Sequence, residues 1–383
     1  MFTMQKRPFW IQRIVQAWEK RSIVWLSGVR RVGKTTLAKM IPDAVYMNCD
    51  LPSVCRRLSD PESFYDSLKK GDTVVFDEVH RLDDPSRLLK IAADVYPHIR
   101  VLATGSSTLT ATRKFRDSLT GRKYMIYLPP VLWSECPNEF GISDLDRRML
   151  HGGLPEPLLA PVKDASFFSE WMDSFYARDI QELFGIRNRA GFMKLLHLLL
   201  RQSGGFIDYT NLAQLSEISR PTVKTHVEAM GIAHAIFLLP PFHGGGRREF
   251  TRRPKCYAFD TGFITFVRGW DSIREDDRGL LWEHLVLDTI RSVIEGRNIF
   301  YWADKSGREI DFIIKGSGNQ VDTIECKITP DRFNPDHLRV FRTVYSNGRN
   351  YVVSPNIKEP YQRRFENLVV HYCNINHLPW LRD

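Results

Sequence analysis

Apolar positions recur at helical spacing from Trp10 to Trp18 and predict an amphipathic helix. The next stretch, SIVWLSG, is a short apolar run closed by glycine, the pattern of a buried strand. TLAKMI continues as a helix. AVYMNCD and DTVVFDEV read as strands separated by a helical stretch around Phe64 to Leu68, and RVLATGSS reads as another strand. Strands alternating with helices predict a parallel α/β sheet over about residues 1–135. The prolines of PPVLWSECPNEFG break the alternation. From residue 143 to 200 the pattern is helical, through SFFSEWMDSFYARDIQELF and GFMKLLHLLLRQS. NLAQLSEISRPTVKTHVEAMGI then reads as helix, turn, helix. Ser219 is placed to cap the second helix, and Pro221 falls in its first turn, where no N–H is needed. The apolar run AHAIFLLPPF followed by HGGGRREFTRRPKCYAFD predicts a hairpin with a basic tip, a winged-helix arrangement. A second alternation of helix and strand begins near Arg278 and runs to the end.

These shifts divide the chain into four segments: an α/β domain at 1–140, a helical lid or linker at 141–200, a winged-helix-like domain at 201–272 and a second α/β domain at 273–383. The composition fits a folded protein of this size, with 383 residues, 43% hydrophobic and 26% charged. No apolar run is long enough to cross a bilayer, and the first residues lack the apolar core of a signal peptide. None of the six cysteines falls in a C-x-x-C pair. They read as reduced thiols of a cytoplasmic protein, neither a zinc site nor a disulfide frame. The net charge of +9 favours a polyanionic partner.

The sharpest chemical signal is GVRRVGKT, Gly28 to Thr35, which fits G-x-x-x-x-G-K-[ST] between a predicted strand and a predicted helix. Gly28 and Gly33 let the backbone turn its N–H groups toward a phosphate. The cofactor-binding stretch then comprises Gly28, Arg30, Arg31, Val32, Gly33, Lys34, Thr35 and Thr36. Lys34 supplies a point charge to the β and γ phosphates, and the Thr35 hydroxyl is placed to ligate Mg²⁺. TVVFDEV carries Asp77 to a strand end, where it would hold the water shell of Mg²⁺. Glu78, next in line, would polarise the attacking water. In LATGSS, Ser106 is the expected polar sensor. RKFRDSLTGRKY offers Arg113, Arg116 and Arg122, of which Arg122 is the preferred arginine acting across a subunit boundary.

On the second predicted helix of the middle segment, Thr222, Lys224, Thr225 and His226 are polar positions for contacting DNA. Arg247, Arg248, Arg252, Arg253 and Lys255 cluster in the hairpin, with Glu249 the acid among them. Such a wing is expected to meet phosphates. In TIECK, Glu325 and Lys327 share one strand face. Upstream, in YWADKSGREIDFII, Glu309, Asp311 and Ile313 are expected on one face and Ile310, Phe312 and Ile314 on the other. On the helix GLLWEHLVLDTIRSVIEG, His284, Asp288, Arg291 and Glu295 form a polar arc at 100° per residue. Glu283 falls instead among Leu287, Ile290 and Ile294, on the face that should be buried. A carboxylate there needs a partner, a metal or a lysine. Glu283, Asp311, Glu325 and Lys327 thus form a possible Mg²⁺-dependent phosphodiester site, with the carboxylates as metal ligands and Lys327 orienting a water. The alternative is that Glu325 and Lys327 simply pair with each other.

The motifs SGVRRVGKTTL, VVFDEVH, LATGSS, SLTGRKY, GGLPE, FYARDI and YWADKSGREIDFII…IECK, in this order, resemble a large prokaryotic family. Its members join an AAA+-type P-loop ATPase domain to a C-terminal domain similar to restriction-endonuclease-like folds, including archaeal junction resolvases. The resemblance implies an ATP–Mg²⁺ site at Lys34 and Thr35, hydrolysis through Asp77 and Glu78, and Ser106 as sensor. It implies a nuclease-like core at Asp311, Glu325 and Lys327 with Glu283 as its helix acid. Ile310, not proline, precedes Asp311, a departure from the nuclease pattern. The expectation is an ATP-hydrolysing, DNA-binding protein that remodels, translocates on or processes DNA, working as a homo-oligomer or ring away from membranes. The alternative is a nucleotide-gated regulatory or defence-associated switch that binds a partner without cutting DNA.

Overall fold

The computed structural model describes residues 5–105, 117, 119–243, 253–294 and 298–381. Helix α1 (Pro8–Lys20) leads into strand β1 (Ile23–Ser27), and helix α2 (Lys34–Ala38) follows the glycine-rich loop. Strands β2 (Ala44–Asn48) and β3 (Thr73–Asp77), helix α3 (Pro85–Val95), and strands β4 (Arg100–Thr104) and β5 (Lys123–Tyr127) complete this layer. The five strands pair in the order β2-β3-β4-β1-β5, all parallel. Both faces are covered. Along β1, Ile23 and Trp25 enter one core while Val24 and Leu26 enter the other. The continuous apolar run in the sequence is what a strand buried on both faces requires. β3 and β4 end together at Asp77 and Thr104, beside the glycine-rich loop. Helix α3 and strand β5 fall outside the pattern-based expectation; β5 is an edge strand whose Lys123, Tyr124 and Met125 dilute the apolar signal.

The middle of the chain is mostly helical. Helix α4 (Ala165–Phe175) passes directly into a π-wound stretch, Tyr176–Gln181. Helix α5 (Arg189–Arg201), strand β6 (Gly205–Phe206), helices α6 (Tyr209–Ser216) and α7 (Arg220–Ile232), and strands β7 (Ile236–Leu239) and β8 (Lys255–Ala258) follow. Ser219 caps α7 by accepting a hydrogen bond from the Thr222 N–H, with proline in the first turn. β6, β8 and β7 form a small antiparallel sheet. His226 does not join the polar face expected of α7. It is buried against Phe192, leaving Lys224 and Thr225 exposed.

Helix α8 (Glu275–Val293) opens the last segment. Strands β9 (Ile299–Ala303), β10 (Glu309–Lys315) and β11 (Val321–Cys326) form an antiparallel meander. After helix α9 (Asp336–Arg342), strand β12 (Asn350–Val353) pairs parallel to β11, and β13 (Tyr361–Phe365) and β14 (Leu368–Cys373) complete a mixed sheet ordered β13-β14-β12-β11-β10-β9. Two expectations change here. A register shift between Ile310 and Ile313 bulges β10, so that Ile310 and Ile313 enter one core and Phe312 and Ile314 the other. Strict alternation had placed Ile310 with Phe312; an inserted residue resets the period. The polar arc of α8 is not solvent-facing either. His284 and Asp288 are buried as fully as the apolar face, because other segments pack on that side. No helix among the described residues is long and apolar enough to cross a membrane.

Candidate functional site: a phosphate loop and an acid–lysine cluster

The glycine-rich loop leaves the end of β1 and turns into α2. Gly28 has φ +155° and Gly33 φ +100°. A Cβ at Gly28 would stand 2.6 Å from the Leu128 carbonyl oxygen, so only glycine fits against β5's exit. Lys34 Nζ donates to the Gly28 and Val29 carbonyls at 2.9 and 3.0 Å, which folds the ammonium back over the loop. Burial lowers its pKa, while Glu78 and Asp179 pull the other way. Val32 is fully buried in the core, so only its backbone faces the loop.

A cavity of about 470 Å³ opens over this loop. Its walls bring together Lys34, Thr35, Thr36, Glu78 and, from the π-wound stretch, Arg178 and Asp179. Asp77 is not on the wall. It sits behind, nearly inaccessible, accepting hydrogen bonds from the Tyr46 hydroxyl at 2.6 Å and from the Thr104 hydroxyl. Thr104 Oγ1 also accepts the Glu78 N–H at 3.0 Å. Glu78 itself has φ +56°, a left-handed conformation that a side-chain-bearing residue adopts only when its surroundings hold it. Burial raises its pKa, Lys34 opposes that, and Asp77 adds to it. His80 Nδ1 lies 3.2 Å from Glu78; burial pushes that imidazole down to about 4, so it is neutral near pH 7.

The two arginines expected to bind the cofactor are held by the helical segment. Arg30 Nε donates to Asp179 at 3.0 Å, and Arg31 lies 3.7 Å from Glu156. Arg122 makes a two-point ion pair with Asp94 on its own chain, at 2.6 and 3.1 Å. Ser106, Arg113 and Arg116 lie outside the described residues. Thr104, Arg178 and Asp179 escaped the sequence reading. Each stood in a quoted motif, LATGSS or FYARDI, but nothing in a single sequence says which polar residue of the motif faces the loop.

The second centre lies between β8, α8, β10 and β11. Lys327 Nζ donates to Glu325 Oε2 at 2.7 Å and lies 3.7 Å from Asp311. Asp311 Oδ2 accepts the Cys326 N–H at 2.7 Å. Glu283 accepts a hydrogen bond from the Tyr257 hydroxyl. Lys255, 5% exposed, lies 3.6 Å from Glu283 and pairs with Glu309. Lys255 is therefore not part of a solvent-facing basic wing. Its ammonium lies 5.9 and 5.7 Å from the centres of the Phe206 and Tyr301 rings and answers the acids. Arg253, the described arginine of that wing, is exposed and paired with Asp208 at 2.8 Å; Arg247, Arg248, Arg252, Glu249 and Glu295 lie outside the described residues.

Burial, with Asp311 close by, pushes Glu283 up to about 7 and Glu325 up to about 8. Burial alone would lower the Lys255 and Lys327 pKa values, but the surrounding acids outweigh it and raise both. Glu283, Asp311, Glu325 and Lys327 thus share one locality, with Lys255, Tyr257 and Glu309 added. The two ammonium groups stand among the carboxylates, and no group of three His, Cys, Asp or Glu side chains among the described residues is arranged to hold a metal ion. The cluster as placed does not fit a divalent cation.

Comparison with known proteins divides the chain into three matched stretches. Residues 20–136 match a family described as AAA domain. Residues 142–274 match "Domain of unknown function (DUF8612)" and residues 278–375 "Domain of unknown function (DUF4143)". "Uncharacterized protein Rv2008c" of Mycobacterium tuberculosis is 27% identical over 321 residues, covering 80% of this chain and 70% of that protein. "Uncharacterized protein MJ1544" of Methanocaldococcus jannaschii is 24% identical over 328 residues, covering 77% and 72%. Among solved structures, a signal transduction ATPase with a tetratricopeptide repeat sensor from Pyrococcus horikoshii aligns at TM-score 0.30 and 15% identity, over 76% of this chain and 46% of that one. The Bacillus subtilis DNA clamp loader delta protein aligns at 0.26 and 9%, over 73% and 99%. Similarities of that size say nothing about function. The phosphate loop, Glu78 and Thr104 all fall inside the stretch that matches the AAA domain, which supports an ATPase of the AAA type at this end of the chain.

Proposed function

We propose that this protein is a Mg²⁺-dependent ATPase that uses nucleotide turnover to act on DNA. The observation that carries the reading is the single cavity shared by the phosphate loop, Glu78 and Arg178. The loop fits a triphosphate: the Gly28 position admits no side chain, and Lys34 already rests its ammonium on carbonyls that a phosphate oxygen would replace. Lys34 would hold the β and γ phosphates and Thr35 the Mg²⁺. The ion, when bound, neutralises charge on the phosphate oxygens. Glu78 would orient the attacking water, with its backbone fixed by Thr104 and its raised pKa suited to accepting a proton. Arg178, exposed toward the cavity, would meet negative charge at the γ phosphate. A smaller crevice of about 90 Å³, walled by Thr36, Leu37, Met40 and Pro155, adjoins the loop and would take the base. Arg122, released from Asp94, would act in trans if the protein assembles as a ring.

DNA enters the reading through the net charge of +9 and through exposed cations of a winged-helix-like module, among them Lys224 on α7 and Arg253 beside the β7–β8 hairpin. The mixed sheet of β9 to β14 supports a restriction-endonuclease-like C-terminal domain, but no cleavage step follows from a cluster filled by lysines. ATP hydrolysis measured with single-stranded, duplex and four-way-junction DNA tests the reading. Stimulation by one of them is expected. Hydrolysis indifferent to every DNA would remove DNA as the partner.

A second reading has its own observation. Lys255 and Lys327 neutralise the acids that a nuclease would leave for metal. On that reading the chain is a nucleotide-gated switch whose C-terminal domain binds a partner without cutting. Incubation with Mg²⁺ and branched DNA separates the two: nicks that disappear in Asp311→Asn, with ATPase unchanged, exclude the switch.

A further inference from the structure

A run of touching groups joins the phosphate loop to the acid–lysine cluster. Ser27 ends β1 and immediately precedes Gly28. Its Oγ lies 2.8 Å from His234 Nε2. His234 occupies the turn between α7 and β7 at φ +61°, a left-handed conformation that needs support from its surroundings. That turn reaches the nucleotide cavity itself, through the neighbouring Ala233. The His234 ring lies 4.7 Å from the Tyr127 ring at the end of β5. The Arg291 guanidinium of α8 covers both Tyr127, at 4.7 Å, and Phe237 on β7, at 4.1 Å. Phe237 pairs across the ladder with Tyr257, whose hydroxyl holds Glu283. Glu283 and Arg291 sit on the same helix, about 12 Å apart along its axis at 1.5 Å per residue. Lys255 closes the route at the far end of the same ladder, opposite Leu239.

We propose that the β7–β8 ladder and α8 form a strut with two settings, in which the state of the phosphate loop determines how firmly Lys255 and Tyr257 are held against Glu283 and Glu309. With the strut docked through His234, Lys255 stays seated and the acids stay neutralised. A nucleotide that moves the root of the loop shifts Ser27, and the ladder carries the shift to Lys255. The acid cluster then reports nucleotide state whether the C-terminal domain cuts or only binds. The inference rests on the nucleotide reading above and on nothing assumed about DNA. Coupling of this kind is reciprocal, so the cluster must also act on the loop.

Hydrogen exchange of the full chain, read by mass spectrometry with and without a slowly hydrolysed ATP analogue, tests the strut. Amides of 255–258 and 309–326 are expected to change exchange rate by about fivefold or more on nucleotide binding, the lower end of ordinary coupling. His234→Asn keeps a residue that tolerates the left-handed turn, and Arg291→Gln breaks the route at a second place. Both are expected to bind a fluorescent ATP analogue within about threefold of wild type while losing the distant exchange response. A response that persists in both variants, or a wild-type chain that binds nucleotide with no change at 255–258 and 309–326, overturns the strut alone. A wild-type chain that binds no nucleotide overturns the nucleotide reading and the strut together.

Discussion

The phosphate loop and the acid–lysine cluster solve the same problem, holding charge out of water, in opposite ways. The loop does so with backbone. Its glycines let the backbone turn along the wall of one cavity, and its half-buried cation, Lys34, rests on carbonyls of its own loop. Its parts are contiguous in the chain and its geometry is local. The cluster does so with side chains recruited from β8, α8, β10 and β11; Glu283, Glu309 and Asp311 are answered by a lysine or a hydroxyl from another element, and Glu325 by Lys327 two residues on. A local site tolerates change in its neighbours. A distributed one depends on every neighbour staying in place.

Lys255→Met probes that difference most severely. It leaves Glu283 and Glu309 without their ammonium partner, and breaking a buried pair costs about 3–5 kcal/mol. Urea denaturation is expected to show this loss, and adding Glu283→Gln is expected to recover part of it. Lys34→Ala is the matching test of the loop. ATP turnover is expected to fall by about 100-fold or more, as when one preorganised charge-stabilising donor is removed, while the circular dichroism spectrum and urea midpoint stay close to wild type. If Lys34→Ala instead unfolds the chain, the loop is no more self-contained than the cluster.

Thr104→Val is expected to have a smaller effect. It removes the hydroxyl that bonds Asp77 and receives the Glu78 N–H, leaving buried groups unpaired at about 1–3 kcal/mol. Turnover should fall with stability, and nucleotide affinity, measured by fluorescence, should change little. The gentlest test uses pH. Glu283 and Glu325 titrate in the folded chain at about 7 and about 8, above their ordinary 4.5. The folded state therefore keeps protons that the unfolded chain has released, and these two groups make stability fall as pH rises from about 4.5 to about 8. The urea midpoint of Glu325→Gln is expected to decline less over that interval than that of wild type. An identical decline would show that the carboxylate is already ionised and fully paired with Lys327.

The same contrast explains what could be read from the chain. The loop was legible because Gly28, Gly33, Lys34 and Thr35 stand at fixed offsets between a strand and a helix. Glu283 was legible because a carboxylate on an apolar face asks for a partner. Lys255 was not. It stands at the end of a run of arginines assigned to the basic tip of the hairpin, and the sequence offers no sign that the returning strand already begins at Lys255 and carries it inward. Asp311 was placed beside Glu325 although the bulge in β10 broke the alternation that had been assumed. The burial of His284 and Asp288 was equally hidden, since the sequence of α8 says nothing about which other segments will cover its polar side. Residues whose surroundings are supplied by neighbours in sequence can be read one chain at a time. Residues whose surroundings come from a distant segment cannot.

Because β8 delivers Lys255 and Tyr257 across a segment boundary, the C-terminal domain has no independent version of its cluster. A fragment starting at residue 273 would carry Glu283, Glu309, Asp311 and Glu325 with Lys327 as their nearest cation, a more acidic surface than the intact chain presents. Activity or ion binding seen in such a fragment would describe a different molecule, and dissecting this protein at its apparent seams would create chemistry that the whole chain keeps silent.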